Sequence, residues 1–134
     1  RPLPETFTCV VCKLANLQAE NARLGREAGD QMLKDFAGML TSAFTPSDKL
    51  FAGNNGAGQY MIFAESMEPE QVEAALLQIR AALEQKSQER GYRLELHSGF
   101  AHVGADQRRY IRELLSTAMK RAAGAKAEAA SGVR

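Results

Sequence analysis

The order of apolar patterns along the chain predicts an α+β fold, with helices packed on a mostly antiparallel sheet in the order β-α-α-β-β-α-β-α. Three observations lead there. A β-branched apolar run near the start reads as a central strand, and two short apolar runs flank an Asn-Gly turn. Stretches with apolar residues at helical spacing then separate these strands from one another and from a last strand. No segment repeats another, so the pattern describes one domain.

The first strand spans about Phe7 to Leu14 and contains Cys9 and Cys12. A C-x-x-C pair invites redox or zinc chemistry. Residues three apart on a strand, however, point to opposite faces. A zinc site would also need further ligands at matched spacing, and the only histidines are His97 and His102. Both thiols are therefore expected in the core. The histidines lie on or beside a strand with no partner pattern and receive no role.

A short helical stretch leads to Gly25, and a longer helix is expected from Asp30. Within it Met32, Leu33, Phe36, Met39 and Leu40 recur at helical spacing, ending before Pro46. "KLFAG" and "GQYMIFAE" follow as strands joined by a tight turn with Asn55 and Gly56 at its tip. The glycines of "GNNGAGQYMIF" suit that hairpin better than a general phosphate loop, because no Lys-Ser/Thr follows and a strand comes next. Val72, Leu76, Ile79 and Leu83 mark one face of a long helix punctuated by Pro69 and Gly91. "YRLELHSGFAHV" alternates as a strand, and Ile111, Leu114, Leu115 and Ala118 begin a last helix that runs to about Ala125. The expected organisation is a single domain over residues 1–126 and a flexible tail or linker over 127–134.

The bulk numbers narrow the function. With 134 residues the chain can bury a real core, and 45% apolar with 25% charged residues is ordinary for a soluble protein. Seventeen basic against sixteen acidic residues leave a net charge of +1, so no field for binding nucleic acid is expected. No apolar run approaches the roughly 18 residues needed to span a membrane, so this segment is expected to make no membrane contact. The start "RPLPETF" has neither an initiator Met nor a secretory pattern. The chain is expected to be a cytoplasmic excerpt of a longer protein, including the cytosolic part of a membrane-anchored one.

"KLANLQAENARLGREAGD", Lys13 to Asp30, resembles the first signature of GGDEF-type diguanylate cyclase domains, D-x-D-x-[FL]-K-x-x-N-D-x-x-G-H-x-x-G-D. Leu17, Asn21, Gly25, Gly29 and Asp30 fall on matching positions without a gap. Gly56, Ala57, Gly58, Gln59 and Tyr60 occupy the place of the five-letter signature. "HSGFA" resembles the family's S-x-G strand and "LLSTAMKRAAGAK" its closing helix. The resemblance covers nearly the whole chain. It implies a palm-like, ferredoxin-like nucleotidyl-cyclase sheet, and an activity in which two domains condense two GTP molecules into cyclic di-GMP with divalent metals held by carboxylates.

Residue by residue, the resemblance implies an altered site. Lys13 stands where the family has a metal-binding Asp, Gly58 where it has another carboxylate, and Gln59 where it has Glu. An ammonium, a hydrogen and an amide do not replace carboxylates around a hard cation. No catalytic residue, no metal ligand and no Mg²⁺ cofactor is therefore expected. The R-x-x-D inhibition motif is missing from "SDKL", and Gln18 and Ala130 replace further phosphate-contacting cations.

Asn21 and Asp30 match the residues that read the guanine edge, and Lys126 matches a phosphate-contacting Lys. These three, with Lys13, are the nucleotide-binding candidates. Each has a plainer alternative. Asn21 before a glycine suits a turn or cap, Asp30 suits a helix N-cap, and Lys126 suits a helix C-terminus. Lys13 is either solvated at a strand end or placed to neutralise a triphosphate where the family has its metal. The expected function is a catalytically inactive GGDEF-like signalling domain, sensing GTP or GDP or making protein contacts. Its expected partners are other domains of the same chain or a second copy in a homodimer. Two alternatives stay open: a divergent cyclase or nucleotide hydrolase using Glu27 or Asp30 for metal, and an unrelated α+β interaction module.

Overall fold

Strand β1 (Thr8–Leu14) is the centre of the protein, because its apolar side chains are buried on both faces and it pairs with a strand on either side. The computed structural model describes residues 3–44, 49–52 and 58–131. The hairpin tip at Asn55 and Gly56, together with Ala57, lies outside the described residues, as does the side chain of Lys126.

Helices α1 (Leu17–Leu24) and α2 (Arg26–Ala43) follow β1. Strands β2 (Lys49–Ala52) and β3 (Gln59–Ala64) then pair antiparallel. Helix α3 (Pro69–Arg90) leads to β4 (Leu96–His102), a short helix α4 (Val103–Asp106) and the long α5 (Ile111–Ser131). The sheet order is β2-β3-β1-β4, and every neighbouring pair is antiparallel. This is the α+β palm arrangement that the sequence predicts.

Alternation along β1 divides the core in two. Val10, Cys12 and Leu14 face one layer, where Met32, Phe36 and Leu40 of α2 meet Val72, Ile79 and Leu83 of α3. Cys9 and Val11 face the other, against Leu114, Ala118 and Ala122 of α5. The two thiols thus lie buried on opposite faces, as a spacing of three on a strand requires. Gly99 of β4 lets α5 come close: a β-carbon there would lie 2.4 Å from the Ala122 nitrogen and 2.5 Å from the Ala118 oxygen.

Four boundaries differ from expectation. Helix α2 begins at Arg26 rather than Asp30, because Gly25 at φ 99° breaks the helix and the Gly29 N–H already donates to the Gly25 carbonyl. Asp30 is therefore inside the helix and is not its N-cap. Strand β4 begins at Leu96 rather than Tyr92, because the backbone before it is held by α1. Glu20 accepts from the Arg93 N–H at 2.7 Å, and Asn16 accepts from the Glu95 N–H at 2.8 Å. Helix α4 is an additional turn, capped by the His102 Nδ1 accepting from the Ala105 N–H. Helix α5 continues past Ala125 to Ser131, through an alanine-rich stretch of high helix propensity. The punctuation of α3 is as read: Pro69 opens it and Gly91 closes it in the left-handed region at φ 78°.

Candidate functional site

The end of β1 carries the first site residue. Lys13 pairs with Gln59 of β3 on one side and His97 of β4 on the other, so three polar side chains form a row across the sheet. They line a cleft of about 280 Å³ between the sheet and α5, walled by Val11, Met119, Ala122 and Ala123. His97 is 8% exposed, with its Nε2 3.9 Å from the Glu95 carboxylate. A cation, an amide and an imidazole on an apolar floor make a setting for an anionic group.

Gly58 closes the same end. Its carbonyl accepts from the Leu14 N–H at 2.9 Å, which continues the ladder into the start of α1. Its φ is 77°, in the left-handed region, and a β-carbon would lie 2.9 Å from Leu17 Cδ2 and 3.3 Å from Leu14 Cβ. A larger residue there is strained by the backbone and has to displace the tip of Leu17.

Asn21 is four residues beyond Leu17 on α1, on the same side of the helix and about 6 Å further along its axis. Its side chain crosses to α2, where Oδ1 fills the space above Gly29: a β-carbon on Gly29 would lie 1.4 Å from it. That oxygen is buried and has no hydrogen-bond partner among the described residues. An acceptor left in this state costs about 1–3 kcal/mol. Asp30, next to Gly29, is exposed. The structure therefore sets Asn21 against Gly29, the residue before Asp30, through α1–α2 packing, and sets Lys13, Gln59 and Gly58 together at the end of β1. Among the described residues no group of three or more His, Cys, Asp or Glu side chains is placed to hold a metal ion.

A second, larger cleft of about 740 Å³ lies beside α1, α3 and the segment before β4. Its wall includes Glu20, which also accepts from Arg23 at 2.7 and 3.0 Å. The Arg23 hydrogen bonds, with the Arg93 N–H, hold the Glu20 carboxyl down to about 2 against the opposing effect of burial. Asn16 adds a bond to the Arg93 carbonyl. Sequence reasoning missed this clamp. Its only signal is the Glu20–Arg23 spacing on a helix, which says nothing of the distant loop it holds.

The four-stranded antiparallel sheet with this helix order defines the class as a palm-type α+β domain. The family model described as "Diguanylate cyclase, GGDEF domain" matches residues 3–131, and the chain belongs to that family. Solved structures agree on the fold. The active GGEEF domain of a diguanylate cyclase from Vibrio cholerae is 18% identical at TM-score 0.74, over 91% of this chain and 77% of that one. An EAL/GGDEF domain protein from M. capsulatus is 16% identical at TM-score 0.72, over 96% and 80%. The GGDEF domain of DgcB from Caulobacter crescentus, solved with c-di-GMP, is 20% identical at TM-score 0.68, over 95% and 74%. No curated protein matches the chain.

Proposed function

We propose that this GGDEF domain does not synthesise cyclic di-GMP and instead serves a larger regulatory protein as a guanine-nucleotide sensor. The observation that carries the first half is the end of β1. Lys13 and Gln59 face one another across the ladder, and Gly58 sits in a conformation suited to glycine. The family's chemistry places carboxylates here around divalent metal. This donor set does not suit Mg²⁺, which asks for oxygen ligands at close to octahedral geometry. Lys13 adds a positive charge that repels the ion.

The sensing half rests on Asn21 and Asp30. An amide acceptor left without a partner over Gly29, next in sequence to an exposed carboxylate, gives a base two polar groups to meet, and the domain of DgcB was solved with c-di-GMP. Lys13, at the cleft under α5, supplies a cation for phosphate in place of a metal. Lys126, on α5, is the second candidate for that role. Binding would bias the domain between conformations that neighbouring domains detect.

Incubation with GTP and Mg²⁺ or Mn²⁺ tests the first half: no cyclic di-GMP is expected, and steady formation of it overturns the reading. Calorimetry with GTP and GDP tests the second. Heat that disappears in Asn21→Ala with Asp30→Ala supports sensing, while no heat at millimolar ligand leaves a domain that works by protein contacts, with partners in its own chain or a second copy.

A further inference from the structure

Among the described residues, the large apolar side chains left exposed are Leu77, Tyr110, Ile111 and Met119. Two of them are adjacent and sit in a mainly basic field, with Glu113 its one exposed carboxylate. Tyr110 is 71% exposed and Ile111 42%, with Arg108, Arg109 and Arg112 exposed around them. None of these arginines forms an ion pair among the described residues. They gather at the N-terminus of α5, where the helix dipole is already positive, so they cost the isolated domain stability. Gln107 turns the chain into this segment at φ 55°, a conformation that non-glycine residues rarely adopt.

Leu77 has the opposite surroundings. It is 68% exposed on the outward face of α3, directly opposite the buried Val72, Ile79 and Leu83. Helical spacing puts Glu70, Glu73 and Glu84 on that outward face with it, all exposed, while the one nearby cation, Arg80, is turned to the Leu96 carbonyl and Ser98 Oγ. The chain therefore carries an apolar centre among three carboxylates on one layer, and an apolar pair among three guanidinium groups on the other.

We propose that these two surfaces dock on one another between copies of this chain, with Tyr110 and Ile111 of one copy against Leu77 of the next. Arginine and tyrosine are residues that anchor interfaces, and the opposite charges fix the register. A second copy fits better than a foreign acidic protein because the matching surface is on the same chain, and a net charge of +1 leaves copies little mutual repulsion. The two surfaces lie on opposite sides of the sheet, so the contact is head-to-tail and does not close into a two-fold dimer. The patches are small, which places the association in the weak, transient class. The inference does not depend on nucleotide binding.

Sedimentation of the chain from micromolar to millimolar concentration tests it, at low and high salt. The average mass should rise beyond a dimer without a plateau and fall as salt screens the charges. Leu77→Lys and Tyr110→Lys, both at exposed positions, should each weaken association at least tenfold while circular dichroism stays unchanged. An equimolar mixture of the two variants retains one intact contact per pair, so it should form a dimer and stop there. A wild-type chain that stays monomeric, an assembly that closes at two copies, or association that ignores both variants overturns the proposal.

Discussion

The side-chain oxygen of Asn21 occupies the position a β-carbon would take on Gly29, 1.4 Å from where that carbon would be. Glycine in the middle of α2 is therefore a condition for the Asn21 rotamer rather than a neutral choice. Gly29→Ala should expel the Asn21 side chain toward solvent. The helix gains about 1 kcal/mol from alanine, which offsets the disturbance, so stability should change by less than that amount. Affinity for GTP should fall at least tenfold, as in Asn21→Ala. Urea denaturation and calorimetry on the same preparations separate the two effects.

Gly99 is constrained differently, because backbone rather than a movable side chain stands over it. Alanine there would press on the Ala118 carbonyl and the Ala122 nitrogen of α5. The helix must lift from β4, and Leu114, Ala118 and Ala122 lose part of their burial. Overpacking of this kind costs about 1–3 kcal/mol. The urea midpoint of Gly99→Ala should drop accordingly, with little change in its slope.

The framework was legible because its signals are local and periodic. β1 reads as a continuous apolar strand, α3 as a helix with proline and glycine at its ends, and the S-x-G of β4 is the place where α5 comes closest. What escaped was set by distant partners. Arg93 and Glu95 look like strand residues, yet their backbone is taken by Glu20 and Asn16 across the fold. Asp30 looks like an N-cap, yet a break at Gly25 starts the helix one turn earlier. For the candidate site, the chemical identities of Lys13, Gly58 and Gln59 were visible in the chain. The Asn21–Gly29 contact needs the α1–α2 packing and could not be read from spacing alone.

The Glu20 clamp makes stability fall in acid. Its carboxyl titrates at about 2, held down chiefly by the Arg23 hydrogen bond, against an ordinary value of 4.5. A depressed folded value means the contribution is fully present above the unfolded value and is lost as pH falls from about 4.5 to about 2. Asp35 and Asp106 are lowered as well and act in the same direction, Asp106 chiefly through its bond to Arg121. Denaturation midpoints across that window should fall steeply for the wild type. Glu20→Gln should be less stable at neutral pH and lose part of that slope.

Cys9 and Cys12 should behave as inert core atoms. Burial pushes both thiols up to about 12, only slightly relieved at Cys12 by Arg80, so almost no thiolate exists at neutral pH. Ellman's reagent should label neither in the native protein and both after unfolding in urea. Oxidation should give no intramolecular disulfide, because the side chains leave β1 on opposite faces.

Restoring carboxylates at the end of β1 separates metal binding from turnover. Lys13 and Gln59 are directly paired, so Lys13→Asp with Gln59→Glu sets two carboxylates on neighbouring strands with β-carbons about 5 Å apart. That pair offers the oxygen ligands a divalent cation needs, and it removes the repelling ammonium. Mn²⁺ affinity should rise at least tenfold over the wild type in a direct titration. Cyclic di-GMP synthesis is still not expected. The remaining carboxylate would have to come from residue 58, where a φ of 77° strains any side chain and the tip of Leu17, 2.9 Å from a β-carbon, would have to move aside. Gly58→Asp added to the pair should lower the urea midpoint and still yield no product. Turnover in the Lys13→Asp, Gln59→Glu pair would show that residue 58 need not supply a carboxylate.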